Sequence, residues 1–421
     1  MINKLKSLIN SEEKKRLLSN FFSLSVLQGA NYILPLITFP YLVRVLGVEK
    51  YGLLAFVNAV ISYFTIFIEY GFNLTATKEI SLHRDDKKKL AEIVGGVLLT
   101  KGFLFLLSAI IMVVLIEIVE DIHAYWYLYL FSFGTLLGQL LFPQWFFMGV
   151  ERMYYITFLN ILSKSIFTMA LFIFIQNEND FYKVPIINSL GVIVAGILGL
   201  YVLKKDFDIH PVIKFGLIKQ YLKNGWEVFI STFFINFYRN FYVVILGFLT
   251  TNLHVGYYSI AERVVKIIQT LQSVAGNTLF PYFSQKFNEN KQKFENVTKK
   301  YIKNILALYL IITVLLFVFA KWIVLFIYGE PQADIITDIR VMSPIIFFGG
   351  LNYYFGILGL VALGYKKSFM KAVMITGVFS LILSVLMVFF WQDLGASITF
   401  VVSEILLFML LMRELYGTAR A

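Results

Sequence analysis

Long apolar stretches separated by short polar segments run through nearly the whole chain. An α-helix needs roughly 20 residues to cross a bilayer. Twelve stretches approach or exceed this length, at 20–44, 53–77, 91–116, 125–147, 155–176, 184–203, 225–249, 256–282, 302–327, 340–363, 371–390 and 394–415. The pattern predicts an all-α polytopic membrane protein with twelve transmembrane helices, called spans 1 to 12 below.

The placement of lysine and arginine predicts how these spans are oriented. Basic residues gather in the polar segments of one side, whereas the other side holds only Arg44, Lys50, Lys183 and Arg340. Cytoplasmic loops carry the excess of Lys and Arg, so we expect both termini in the cytoplasm. Residues 1–19 are polar and basic and are interpreted as a cytoplasmic amphipathic lead-in, not a cleaved signal peptide.

A basic stretch at 204–223 divides the spans into two sets of six. We therefore expect an N-terminal lobe of residues 1–204 and a C-terminal lobe of residues 205–421. A weak internal repeat supports this division: Leu-Gly, a short polar segment and a further Gly occur at 46–52 and at 246–256. Parallel repeats of this kind occur in transporters that rock two halves about a central site.

Composition agrees with a membrane protein and narrows its chemistry. Hydrophobic residues make up 59% of the chain and charged residues 15%, against about 25% charged in soluble domains. Cysteine is absent, which excludes disulfides and thiolate chemistry. The four histidines lie scattered in predicted loops, so no metal cluster is expected. The formal charge of +11 is attributed to topology and contact with anionic membrane lipid, and no nucleic-acid partner is expected.

Enzyme motifs are missing from the sequence. It has no Walker loop, no Gly-x-Ser-x-Gly and no aspartate-rich metal cluster. The predicted outer loops are short. The last of them contains Asp334 and Asp338, four residues apart, but no further candidate catalytic residue. The chain is therefore not expected to be an enzyme.

Three cations, Lys101, Lys164 and Arg239, fall near the middle of spans 3, 5 and 7. A charge at the centre of a transmembrane helix costs about 2.5–3.5 kcal/mol on insertion scales, so such residues usually face a cavity or a partner. We expect a basic chamber for an anionic cargo. The alternative is that each cation pairs with an acid embedded in a span, and these acids are Glu69, Glu262 and Glu404.

Three further cations are candidates for the same chamber. Arg263 and Lys266 lie in span 8, where Glu262 and Lys266 are four residues apart on one helix face and can neutralise each other. Arg44 stands at the outer end of span 1, as an interfacial anchor or as part of the cavity rim. Both interpretations stay open for each residue.

The embedded acids are also candidates for ion coupling. A carboxyl group in a low-dielectric site can exchange protons near neutral pH. Glu69, Glu262 and Glu404 are therefore possible coupling residues, with salt bridging as the alternative. Proline frees a backbone carbonyl and kinks a helix, so three prolines within spans are possible hinges: Pro35, Pro40 and Pro281.

Five motifs carry a resemblance to a known family. They are FPYLVRVLGVEKYG at 39–52, YGFNLTATKEISLHRDD at 70–86, PQWFFMGVERM at 143–153, GYYSIAER at 256–263 and LFPYFS at 279–284. In this order and within a twelve-span layout, the chain resembles the Wzx-type polysaccharide repeat-unit flippases of the multidrug/oligosaccharidyl-lipid/polysaccharide exporter superfamily. The match runs from about residue 15 to 415.

The resemblance implies two six-helix lobes around a central cavity, in the inner membrane of a bacterium. It implies a flippase that moves undecaprenyl-diphosphate-linked oligosaccharide units, of an O-antigen or a capsule, from the cytoplasmic to the outer leaflet. A polysaccharide polymerase and a chain-length regulator would be partners. No cofactor is expected, and a proton or sodium gradient would drive alternating access. The rival functions are a multidrug cation antiporter of the same superfamily, a membrane polysaccharide polymerase or ligase, and a scaffold or channel without directed transport.

Overall fold

The computed structural model describes residues 12–287 and 291–417, and across these residues the chain is helical without a β-strand. The α-helices of the first part are α1 Glu12–Glu69, α2 Phe72–Leu82, α3 Lys87–Ile118, α4 Glu120–His123, α5 Trp126–Leu141, α6 Gln144–Gly149, α7 Met153–Phe174, α8 Lys183–Phe207 and α9 Leu217–Leu249. Those that follow are α10 Asn252–Phe287, α11 Lys291–Tyr328, α12 Ala333–Met342, α13 Pro344–Asn352 and α14 Lys366–Gly417. A 3₁₀ turn precedes α8, and a π-helix, Tyr353–Val361, follows α13.

The chain spans a membrane several times. Seven of the described segments are long and apolar enough to cross a bilayer: Val26–Leu82, Lys87–Ile118, Met153–Phe174, Glu178–Phe207, Gln292–Tyr328, Ala333–Val361 and Lys366–Leu415. The first and last of these each cover two predicted spans. The all-α polytopic class is thus confirmed, and the count of twelve spans stays a prediction.

The two longest helices are each interrupted at a single residue. In α1 the break falls at Gly47, with φ 72° and ψ 170°, while Pro35 and Pro40 lie inside the helix. In α14 the break falls at Gln392, with φ 50° and ψ −127°. Glycine adopts positive φ without steric cost, whereas glutamine does not. Gly47 separates predicted spans 1 and 2, and Gln392 separates predicted spans 11 and 12.

Contacts divide the chain into two compact units. Unit 1 comprises Met1–Leu46 and Val57–Phe237, and unit 2 comprises Gly47–Phe56 and Tyr238–Ala421. These bounds do not coincide with the predicted lobes, 1–204 and 205–421, and that lobe division stays a prediction. Of the predicted lead-in 1–19, residues 1–11 lie outside the described residues, and the rest begins α1.

Small residues bring helices α5 and α8 together in unit 1. A Cβ on Gly138 would lie 2.6 Å from the carbonyl carbon of Val192, and a Cβ on Gly196 would lie 2.7 Å from the carbonyl oxygen of Gly138. Such approaches are typical of membrane helices, which pack through small residues because lipid offers no hydrophobic drive for their association.

In unit 2, the glycines of the internal sequence repeat meet. A Cβ on Gly52 would lie 2.0 Å from the carbonyl oxygen of Asn252 and 2.5 Å from the backbone nitrogen of Gly256. A Cβ on Gly256 would lie 2.2 Å from the carbonyl oxygen of Val48. The α1 segment after Gly47 and the start of α10 therefore touch backbone to backbone.

Candidate functional site

Lys101 is the most deeply buried of the candidate cations whose side chains the structure describes, with 3% of its surface exposed. It lies on α3, and its Nζ donates a hydrogen bond of 2.7 Å to the main-chain oxygen of Gln139 on α5. Glu69 of α1 interacts with it electrostatically. Glu69 also accepts a hydrogen bond of 3.4 Å from Nδ2 of Asn73. A lysine ammonium has three donors, and among the described residues Lys101 uses one of them, on a carbonyl.

Lys164 is held by an amide and is half-buried. Its Nζ lies 2.6 Å from Oδ1 of Asn31 and donates to it, which links α7 to α1 one turn before Pro35. An amide oxygen orients the ammonium without neutralising it. The ammonium group of Lys164 is thus oriented by Asn31 at the contact between α7 and α1 in unit 1.

The structure gives less information about two other candidate cations, Arg44 and Arg239. Arg44 is exposed on α1, three residues before the break at Gly47. Arg239 lies on α9, and its side chain is outside the described residues, as is that of Pro281 on α10. Their predicted roles stay predictions.

The cations of α10 lie in unit 2 and have acidic or aromatic neighbours. Lys266 Nζ lies 2.8 Å from Oε1 of Glu262, so the pairing expected from their spacing is present. Tyr258 donates a hydrogen bond of 3.4 Å to the same oxygen. Arg263 is exposed and interacts electrostatically with Tyr51. The charge of Lys266 is thus largely balanced within its own helix.

Glu404 of α14 binds Asn352, the last residue of α13, which directly precedes the π-helix. Nδ2 of Asn352 donates to Oε2 of Glu404 at 2.5 Å and to its main-chain oxygen at 2.9 Å. π-Helical turns are uncommon and frequently occur at functional sites. Each of the three embedded acids therefore has a polar partner in its own unit.

Sequence reasoning missed a polar group centred on Asp338. We expected this residue in an outer loop without other candidate catalytic residues. It lies instead in α12, on a face shared with Ile335 and Ile339. Ser397 donates a hydrogen bond of 2.7 Å to its Oδ1, and Asp393 lies beside it. The apolar residues at 335, 336, 339 and 342 follow a helical period, and this period places Asp338 on the buried face.

An apolar groove of about 870 Å³ lies in unit 2, along α10, α11 and the π-helix. Leu271, Leu308 and Ile312 contribute aliphatic walls, and Tyr309 and Tyr353 contribute rings. Among the described residues that line it none is charged, so the groove suits a hydrocarbon chain and not a phosphate.

Solved structures of similar fold show the architecture of this chain. The lipid II flippase MurJ in an inward closed conformation has a TM-score of 0.71 at 12% identity, covering 96% of this chain and 87% of that one. An inward-facing multidrug resistance MATE family transporter of the MOP superfamily has a TM-score of 0.68 at 13% identity, covering 93% of this chain and 99% of that one. At these identities the likeness shows the fold alone, so the chain has the helical architecture of these two structures.

The family follows from the sequence match. Residues 17–287 match the family described as "Polysaccharide biosynthesis protein", and the chain belongs to this family. A relative from Escherichia coli (strain K12), named "Putative O-antigen transporter", is 31% identical over 394 residues, which cover 93% of this chain and 95% of the relative. The resemblance stated from the motifs is thereby confirmed, and the match is to a transporter family and not to a class of enzymes.

Proposed function

We propose that this protein is a flippase of the bacterial inner membrane, which moves undecaprenyl-diphosphate-linked oligosaccharide units from the cytoplasmic to the outer leaflet. Both termini lie in the cytoplasm, and alternating access is driven by an ion gradient. The name of the Escherichia coli relative supports a polysaccharide cargo. A polymerase and a chain-length regulator would act on the product.

Lys101 is the observation that carries this proposal. It is buried in a transmembrane helix, and a carbonyl is its hydrogen-bond partner, so donors remain for the oxygens of a diphosphate. Lys164, held by Asn31, supplies a second positive charge in the same unit. Lysine binds phosphate as a point charge, and two such charges suit an anionic headgroup. The apolar groove of unit 2 offers a place for part of the polyprenyl tail.

The acids weigh against the rival, a cation antiporter. Such a transporter needs carboxylates available to an organic cation. Glu69, Glu262 and Glu404 instead interact with Lys101, Lys266 and Asn352 respectively. Carboxylates that are engaged in this way are less available to an organic cation, and this weighs against the antiporter.

A flipping assay in proteoliposomes tests the proposal. Labelled undecaprenyl-diphosphate oligosaccharide is incorporated, and a membrane-impermeant probe reports the fraction accessible from outside. Losing one charged hydrogen bond to the cargo costs about 1.5–3 kcal/mol, which is roughly a tenfold to hundredfold loss. Lys101→Gln and Lys164→Gln should each slow flipping by this order.

Lys321→Gln is the matched control, because Lys321 is also a lysine within a predicted span but is exposed on α11. It should flip at the wild-type rate. Wild-type flipping in both Lys101→Gln and Lys164→Gln would reject the basic chamber, and export of cationic dyes without flipping would establish the antiporter.

A further inference from the structure

Two buried aspartates meet in unit 2. Asp338 lies on α12 and is 1% exposed, and Asp393 lies on α14 and is 7% exposed. Their carboxyl groups are neighbours that interact with one another. Ser397 donates to Oδ1 of Asp338 at 2.7 Å, and the Nδ1 atom of His254, at the start of α10, hydrogen-bonds to Oδ1 of Asp393.

One oxygen of this group lacks a partner. Oδ2 of Asp338 is buried, and none of the described residues donates a hydrogen bond to it. A buried carboxylate oxygen without a donor is costly, and two ionised carboxylates in contact repel each other. A single proton on Oδ2, donated to Asp393, removes both costs. It forms the missing hydrogen bond, and it lowers the negative charge of the pair by one.

No lysine or arginine among the described neighbours balances the negative charge of the two carboxylates, so a shared proton is the simplest compensation. Among the described residues, Asp334 and Tyr258 also interact with Asp338, and Tyr257 also interacts with Asp393. None of these is a lysine or arginine. Arg340, on the same helix as Asp338, is exposed and packs over the ring of Phe317 at 5.5 Å. The described residues also contain no set of three or more His, Cys, Asp and Glu side chains suited to a metal ion.

The backbone beside Asp393 is strained. Gln392 has φ 50° and ψ −127°, the conformation of the first central residue of a type II′ turn, which favours glycine. Non-glycine residues in such regions cost about 1–3 kcal/mol and cluster at functional sites. Here the strained residue positions the carboxyl group that follows it. The side chain of His254 is 24% exposed, so its ring joins the buried pair to the surface of the unit.

We propose that Asp338 and Asp393 form a proton-binding site, in which one proton is shared by the two carboxyl groups and His254 exchanges it with solvent. Release of the proton leaves the pair with one additional negative charge, and no covalent bond other than that to the proton changes. The site differs from the acids singled out in the sequence. Its use to couple flipping to a proton gradient rests on the proposed function, whereas the proton site itself does not.

Infrared spectroscopy of the purified protein in lipid nanodiscs tests the site without any cargo. The C=O stretch of a protonated carboxyl group is followed near neutral pH. Wild type should show a band that is lost in Asp338→Asn, because the amide replaces the protonated acid and can donate to Asp393 in its place. Glu330→Gln, which removes an exposed acid outside the group, should keep the band.

Asp393→Asn provides a second variant in case the first fails to fold, and thermal melting curves establish the folding of each. It removes the partner carboxyl and should also abolish the band. His254→Gln should retain the band but slow its shift after transfer to D₂O. A band that persists in both folded aspartate variants would overturn the proposal. So would an increase of the melting temperature by Na⁺ that occurs in wild type and not in Asp338→Asn, since the group would then hold a metal cation.

Discussion

The contact between Gly52 and Gly256 predicts a large effect from adding a single methyl group. In Gly52→Ala, the new Cβ would lie 2.0 Å from the carbonyl oxygen of Asn252, whereas ordinary contact begins at 3.4 Å. The obstructing atoms belong to the backbone and cannot rotate away. The two helical segments must therefore separate by about 1.4 Å, and overpacking of this kind costs about 1–3 kcal/mol.

Helix propensity acts in the opposite direction and must be subtracted. Alanine is more favourable than glycine inside a helix by about 1 kcal/mol. The net expectation is a destabilisation of about 0–2 kcal/mol for Gly52→Ala. The same reasoning holds for Gly256→Ala, whose Cβ would meet the carbonyl oxygen of Val48 at 2.2 Å.

Gly102→Ala is the matched control, because Gly102 lies inside α3 and a Cβ there would meet no heavy atom within 4 Å. It should be neutral or stabilising by up to about 1 kcal/mol. The assay is the melting temperature of the purified proteins in one detergent, read from intrinsic fluorescence and from the monodisperse fraction on gel filtration. If Gly52→Ala and Gly102→Ala melted at the same temperature, the close backbone contact would be refuted.

Two further predictions concern strain and charge. Gln392→Gly should raise the melting temperature, because relief of the positive φ is worth about 1 kcal/mol or more; an unchanged or lower value would contradict the strained turn. Outside the spans, the hydrogen bond of 2.9 Å from Lys87 holds the pKa of the Asp208 carboxyl below its usual value. The stability this pair adds is present above the unfolded pKa of about 3.9 and is lost as the pH falls through the lower folded value. Lys87→Gln should raise the Asp208 pKa, as measured by NMR of ¹³C-labelled aspartate, and an unmoved pKa would refute the pairing.

Hydropathy was sufficient to predict the helical class, because each predicted span needs only local apolar residues to form a helix. The breaks at Gly47 and Gln392 were not predicted, since a single dihedral angle leaves no pattern in hydropathy. Helix α12 was taken for a loop because Asp334, Asp338 and Arg340 lower its mean hydropathy, although its apolar residues keep a helical period.

The candidate site was predictable in residue type and less so in partners. Lys101 was identified from the cost of a central charge, but its bond to the main-chain oxygen of Gln139 could not be, because any carbonyl can accept. The hydrogen bond between His254 and Asp393 joins residues far apart in sequence, and a single sequence does not reveal such contacts. The cations could therefore be identified from their positions within predicted spans, whereas the aspartate pair could be found only from the three-dimensional structure.

The apolar groove of unit 2 also has a pharmacological consequence. Its volume falls within the range of pockets that take drug-sized molecules, and Leu271 and Leu308, which line it, are each more than half exposed at the surface of the protein. On a surface that faces acyl chains, an inhibitor would reach the groove by partitioning into the bilayer first. Its potency would then follow its concentration in the membrane, so lipophilic compounds would gain in apparent affinity without any better fit to the groove.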